Sequence, residues 1–360
     1  MKRPSRKSRG EKHALIGVLL LTLFFAFFAR PVHGQPTHYS LSATAGQVIA
    51  TNGSPFSGKT PTVGVDAALY WQQTDSSFSS RFWRQPFFGL RTNYAHLFHS
   101  VAGDRMELAG LLQGPVAGHL DWTYSVGLSF YTRPYSLYPN PENTYIGSVV
   151  NCLIDFGFLY NIPLSAGNTL FLAAKLVHSS NGYLYKPNHG LNYLQMELGL
   201  RRGPHQSLLR GLPQAPPSSV HGAPFVLVAP GLVQSRYDDS EVISYHPVYT
   251  VQLGYIWHAH PCFSYGASLD LSYNFTHRQV GPADEWPVYP AAFVFGDCQW
   301  GPVVLRLGLA HYLAYYPLNW EQYYERVGLY YRFGRQMAGV GMKVHYDHID
   351  YIEWSWAIEL

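Results

Sequence analysis

The chain has 360 residues, 47% hydrophobic and 16% aromatic against only 13% charged, with a formal net charge of +3. A balance so near neutral, with no Lys/Arg cluster beyond the N-terminal region, argues against nucleic acid as the main partner. Past that region no apolar run is long enough to cross a bilayer as a helix. Abundant aromatics, few charges and no spanning helix together favour a transmembrane β-barrel over a soluble β-sandwich.

Residues 1–13 are basic (Lys2, Arg3, Arg6, Lys7, Arg9, Lys12), and 14–29 form an unbroken apolar run. A short exit over 30–34 follows, with Val32 and Gly34 as small residues before a cleavage point. This is the pattern of a secretory signal peptide over residues 1–34, the alternative being an uncleaved anchor. No Cys follows the apolar run, which speaks against a lipid-anchored mature N-terminus. Residues 35–360 are then expected to form one barrel domain.

Alternating or apolar-rich segments, broken by Gly, Pro, Asn and Asp, succeed one another at 40–50, 62–72, 87–96, 106–114, 119–131, 147–160, 169–179 and 190–201. The later half offers 224–234, 249–257, 263–275, 291–300, 303–312, 325–333, 339–346 and 351–360. Short apolar runs are easily over-counted, so the expectation is an all-β antiparallel barrel with an even number of strands, about 10–14 and about twelve for preference. Aromatics at segment ends (Trp122, Tyr124, Tyr131, Tyr135; Tyr315, Tyr316, Trp320; Tyr323, Tyr324, Tyr330, Tyr331) read as interfacial girdles. The Pro-rich stretch 203–223 reads as a long connection inside that barrel. The final YIEWSWAIEL suits a closing strand, although Leu360 stands where an aromatic is usual.

The stretch LFLAAKLVHSSNGYLYKPNHGLNYLQMELGL over 170–200 reads as two strands joined by a Gly/Pro/Asn turn. Side chains alternate along a strand, so Leu170, Leu172, Ala174, Leu176, His178 and Ser180 share one face. Phe171, Ala173, Lys175, Val177 and Ser179 share the other. On the second strand Asn192 lies with Leu194, Met196, Leu198 and Leu200, while Gln195 and Glu197 point away. A hydroxyl, an imidazole and an amide therefore gather on an apolar surface, as an esterase acting on a lipid requires.

A serine hydroxyl becomes a nucleophile when a base takes its proton, and the base needs a third group to hold its tautomer. Ser180 is the candidate nucleophile and His178 the base. Their Cβ atoms, two positions apart on one face, are about 7 Å apart, within reach of suitable rotamers. Asn192 can orient His178 by accepting its other N–H, and Asn188 with the backbone N–H groups around Gly182 can await the oxyanion. The alternative is a polar turn at a barrel rim, with Ser and Asn chosen for turn geometry.

The run H-S-S-N-G, six residues, then G-L-N, with Pro187–Asn188 in the turn, resembles the lipid A 3-O-deacylases. These are outer-membrane barrel esterases whose catalytic groups face the membrane. The resemblance implies His178 as base, Ser180 as nucleophile, Asn181 as the Asn following it and Asn188 at the oxyanion. The family's acid falls on Asn192, a departure: an amide orients an imidazole but does not stabilise imidazolium by charge. Glu197 has the wrong parity to replace it. Asp155, Phe156 and Phe158 lie where the family has support residues, and the C-terminal segment resembles long bacterial acyloxyacyl hydrolases.

The resemblance further implies removal of an ester-linked acyl chain from lipid A of lipopolysaccharide in the outer leaflet, without a cofactor, at the bacterial outer membrane. A homodimer is one assembly open to such a barrel. The rival reading is a non-enzymatic barrel: a porin, a transport channel or an adhesin.

Other clusters weigh less. His345 and His348, with Asp347 and Asp350, suggest a metal, but a spacing of three turns the two imidazoles to opposite faces. Glu321 and Glu325 read as solvated rim carboxylates. Cys152, Cys262 and Cys298 are odd in number and lack metal spacing, so they read as ordinary strand or turn residues. One conflict stands. In a single barrel, a turn 182–189 outside the cell places the long 203–223 connection in the periplasm, against the usual distribution of long loops.

Overall fold

The computed structural model describes residues 37–49, 55–56, 60–73, 77–182, 184–203, 220–234, 245–274, 288–314, 322–345 and 348–360. The signal segment, Tyr315, Tyr316, Trp320, Glu321 and Asp347 lie outside these residues, as does the side chain of His348.

Among the described residues there are sixteen antiparallel strands, which close into two eight-stranded barrels. The first runs β1 (His38–Ile49), β2 (Pro61–Gln72), β3 (Phe87–Leu97), β4 (Asp104–Ala117), β5 (Leu120–Tyr131), β6 (Val150–Ser165), β7 (Asn168–Ser180) and β8 (Leu191–Arg202). The second runs β9 (His221–Gln234), β10 (Tyr245–His260), β11 (Phe263–Asn274), β12 (Val288–Trp300), β13 (Val303–Tyr312), β14 (Tyr323–Phe333), β15 (Gln336–His345) and β16 (His348–Glu359). The expectation of one barrel of about twelve strands is therefore overturned. Every segment read from the alternation is a strand. Closure comes twice, where β1 pairs with β8 (Ala43 opposite Leu198) and β9 pairs with β16 (Val228 opposite Trp356). The two compact units of the chain are built around these two ladders.

Alternation dictates what each wall presents. In β8 the pattern is strict, with Tyr193, Gln195, Glu197 and Arg201 buried and Leu194, Met196, Leu198 and Leu200 about half exposed. Leu41, Val65, Phe156, Leu172 and Leu176 extend the same apolar exterior, and Leu253, Val294, Leu307 and Leu309 do so on the second barrel. Strands of 10–16 residues with that exterior match the hydrocarbon thickness of a bilayer.

The interiors are filled, with ion-pair clusters in both and, in the second, a buried apolar and aromatic cluster that includes Phe225, Leu227, Phe293 and Phe295. In the first barrel Arg91 is held by Asp66 (3.0 Å), Glu107 (2.6 Å) and Asp155, and Lys175 pairs with Glu197 at 2.8 Å. In the second, Arg326 is held by Asp270 (3.1 Å) and Glu353, and Arg306 binds Asp297. Some of the aromatics read as girdle belong to these interiors: Tyr131, Tyr324 and Tyr330 are buried, and the Tyr131 hydroxyl meets that of Tyr193 at 2.6 Å. Parity, not proximity to a strand end, decides which way a ring points.

In the second barrel β10–β11, β12–β13 and β14–β15 are joined by two-residue turns on one edge, and β9 begins and β16 ends on that edge. The first barrel has two-residue turns at β4–β5 and β6–β7, on the edge where β1 begins and β8 ends. Residues 203–220 therefore join one closed ladder to the next and are not a loop inside either. The last three residues of the Pro-rich stretch already belong to β9. With short turns periplasmic, the β7–β8 hairpin falls on the outer edge, and the orientation conflict disappears.

Candidate active site

β7 and β8 pair in a register that sets His178 directly opposite Asn192. His178 and Ser180 share the outward face at the end of β7, because Val177 and Ser179 take the inward one. The imidazole Nδ1 lies 2.8 Å from Asn192 Oδ1 and Nε2 lies 3.0 Å from Ser180 Oγ. Taken as one network, Ser180 donates to Nε2 and the Nδ1–H donates to the Asn192 amide oxygen. Asn192 is exposed, His178 half-buried and Ser180 buried.

The hairpin between them is braced from outside itself. Asn188 Oδ1 accepts the Asn181 backbone N–H at 3.2 Å, closing the turn across its base. The Asn181 amide donates to Ser148 Oγ (3.0 Å), which in turn donates to the Val150 carbonyl (2.7 Å). The backbone N–H groups of His189 and Gly190 donate to the carbonyls of Thr144 and Tyr145. The β5–β6 connection thus holds the turn in place. Gly182 adopts φ +61°, a left-handed conformation that a glycine enters without strain.

Two contributors escape a reading of the sequence. Ser148 is 33 positions from Asn181, and nothing near it signals a role. Gly190 stood in the recognised run without an assigned part. Its φ is +73°, and a Cβ there would come within 2.8 Å of His178 Cε1 and 3.1 Å of Ser180 Cβ. A side chain there would crowd both the imidazole and the hydroxyl, in a backbone conformation that favours glycine. Around the cluster, Ile154 is opposite His178 and Cys152 opposite Ser180 on β6. Phe156, Leu176 and Leu194 continue the apolar surface away from the turn.

The remaining candidates resolve differently. Glu197 faces the interior, bound to Lys175, and Asp155 is there as well, against Arg91. His345 points into the second barrel between Asp350 (2.6 Å from Nδ1) and the Tyr312 hydroxyl (3.0 Å from Nε2). Among the described residues no group of His, Cys, Asp and Glu is arranged to hold a metal ion. None of the three cysteines forms a disulfide.

Fold and site define a class: an outer-membrane β-barrel carrying an imidazole–hydroxyl pair on its lipid-facing wall. Residues 65–201, most of the first barrel, match the family model described as lipid A 3-O-deacylase (PagL). Residues 221–359, the second barrel, match the model described as acyloxyacyl hydrolase, C-terminal domain. Both barrels of the chain thus match models of the lipid A 3-O-deacylase (PagL) family.

No curated protein matches it. Among solved structures, the outer membrane enzyme PagL is 16% identical, over 44% of this chain and 97% of its own, with a TM-score of 0.32. The siderophore receptor PirA from Pseudomonas aeruginosa is 12% identical, over 91% of this chain and 60% of its own, at 0.29. A mutant Rh. blastica porin is 8% identical, over 90% and 98%, at 0.18. Likenesses of that degree carry no weight in assigning a function. A homodimer finds no support in these matches.

Proposed function

We propose that the first barrel is a lipid A deacylase in which Ser180 attacks an acyl ester and His178 takes its proton. The single observation that carries this reading is the hydrogen-bonded chain Ser180–His178–Asn192 on the outward, apolar face of the barrel. Lumen-facing catalytic groups could not meet a lipid acyl chain without extracting it. Groups on the exterior meet it where it already lies. Leu176, Leu194, Phe156 and Met196 provide the surface along which the chain rests, so the bilayer supplies much of the binding energy.

In the first half-reaction the Ser180 oxygen bonds to the acyl carbonyl carbon and its proton passes to His178 Nε2. Collapse of the tetrahedral adduct expels the sugar alkoxide, which takes that proton. Water then repeats the sequence on the acyl-enzyme. Asn192 holds the Nδ1–H tautomer that leaves Nε2 free to accept. With its Oδ1 committed to the Asn181 N–H, Asn188 has its NH2 group for the oxyanion, together with the Gly182 N–H; Asn181 is support for the turn. The chemistry needs no cofactor.

The test is mass spectrometry of lipid A from cells carrying the wild-type protein, Ser180→Ala or His178→Ala. Loss of one ester-linked acyl chain is expected with wild type alone, at equal amounts of folded barrel. Deacylation that persists in both variants would remove the assignment.

A further inference from the structure

The second barrel contains a hydroxyl–imidazole–carboxylate chain of its own, on its short-turn edge. β10 and β11 pair so that His258 lies directly opposite Ser264. His258 Nδ1 is 2.9 Å from Ser264 Oγ, and Nε2 is 3.1 Å from Glu359 Oε2. Glu359, near the end of β16, is fixed from its other oxygen by Arg332 Nη1 at 2.7 Å. The register of β10 against β11 shifts between His258 and His260, an irregularity of the kind that re-aims a side chain at a barrel rim.

We propose that Ser264, His258 and Glu359 form a second hydrolytic site, distinct from Ser180, that acts on small water-soluble anionic carboxylic esters. Filling a barrel end with ion pairs requires Glu359 to meet Arg332. It does not require an imidazole between that carboxylate and a serine hydroxyl, with both ring nitrogens engaged in the order a nucleophile needs. The site differs from the Ser180 cluster in one telling respect: the third member is a carboxylate, which stabilises the imidazolium by charge as well as orienting the ring.

Burial and charge indicate the substrate class. Ser264 keeps 8% of its surface, while the His258 and Glu359 side chains keep 15% and 12%, so the group is reachable only at the rim. Ser264 also lies opposite Asp297, which binds Arg306 through Nε and Nη2 at 2.7 and 2.8 Å. Arg306 Nη1 and Arg332 Nε and Nη2 are buried and have no hydrogen-bond partner among the described residues. Unpartnered guanidinium donors beside a nucleophile suit a substrate bearing a carboxylate or phosphate. The apolar groups at this inward rim are the buried Phe225 and Phe295 rings stacked against Arg306, a short patch unlike the half-exposed outward face of β7 that would carry a long acyl chain.

The step balances without a co-reactant other than water. Ser264 Oγ bonds to the ester carbonyl carbon as its proton moves to His258 Nδ1. The carbonyl–alkoxy bond breaks and the leaving alkoxide takes the proton from Nδ1. Water then attacks the acyl-serine, yielding its proton to Nδ1, and collapse releases the acid and returns the proton to Ser264. Nε2–H remains hydrogen-bonded to Glu359 throughout.

The experiment uses the full-length protein in detergent with Ser180→Ala as background, so that Ser180 contributes nothing to the signal. With 4-nitrophenyl hemisuccinate as probe, turnover above the buffer rate is expected. It should fall by roughly 100-fold or more when Ser264→Ala or His258→Ala is added, the scale of a lost nucleophile or base. Glu359→Gln should lower kcat with KM little changed. Independently, a fluorophosphonate applied to the unmutated chain should leave an adduct on the peptide carrying Ser264, a readout that depends on no variant folding. Turnover at the buffer rate, turnover equal with and without Ser264, or absence of that adduct would each overturn the proposal. None of these results bears on lipid A deacylation by the first barrel.

Discussion

Replacing Asn192 by Asp tests the mechanism at its weakest link. Asp is nearly isosteric with Asn, so the 2.8 Å contact to His178 Nδ1 should survive the change. What changes is charge. In the transition state the imidazole carries a proton from Ser180, and a carboxylate there faces a full positive charge at about 4 Å between centres. At an effective dielectric near 20 such a pair is worth about 4 kcal/mol. Asn192 is exposed at the turn end of β8, and solvent screening of an exposed pair takes roughly half of that, leaving about 2 kcal/mol, or roughly 30-fold in rate. The ground state, with neutral imidazole, gains far less, so the benefit should fall on kcat. Asn192→Ala removes only an orienting hydrogen bond, about 1 kcal/mol, and should cost roughly fivefold. The assay is release of fatty acid from purified lipopolysaccharide in mixed micelles, run well above the ordinary imidazole range so that His178 is neutral in every variant. An Asn192→Asp enzyme no faster than wild type, with Asn192→Ala also unchanged, would remove residue 192 from the mechanism.

Three further outcomes follow from the geometry. Gly190→Ala should cut deacylation at least tenfold, because the new methyl meets His178 Cε1 at 2.8 Å in a backbone conformation that disfavours it; a barrel with unaltered heat-modifiable mobility and full activity would contradict this. Arg91→Met should destabilise the first barrel by about 3–5 kcal/mol, since Asp66, Glu107 and Asp155 lose their common cation inside the wall; urea titration in detergent measures it, and an unchanged midpoint would show that the cluster is dispensable. Because both interiors are packed with such side chains, planar bilayers containing the protein should show no channel conductance, and steady single-channel currents would favour a pore instead.

The alternation of side chains was enough to mark the segments that are strands, though it was read as about twelve of them, and in the 170–200 hairpin to separate the two faces and put His178, Ser180 and Asn192 on one apolar surface. Those are local properties. Period two is a feature of the backbone, and a hairpin brings its own residues together whatever the remainder of the chain does. The reading failed where it discounted segments as over-counted, and where it assigned Tyr131, Tyr324 and Tyr330 to a girdle.

Only the tertiary structure decided how the strands are apportioned. Pairing of β1 with β8 joins residues some 150 positions apart, and that of β9 with β16 joins ends of a separate stretch. No short-range pattern distinguishes two such closures from one larger ring, because each edge offers the same row of unpaired amides until its partner arrives. The same holds for His258 against Glu359, 101 positions apart and brought together across the β9–β16 closure. Each pairing exists because a closed sheet returns distant strands to one edge, and the cost and reward of that return belong to the whole barrel.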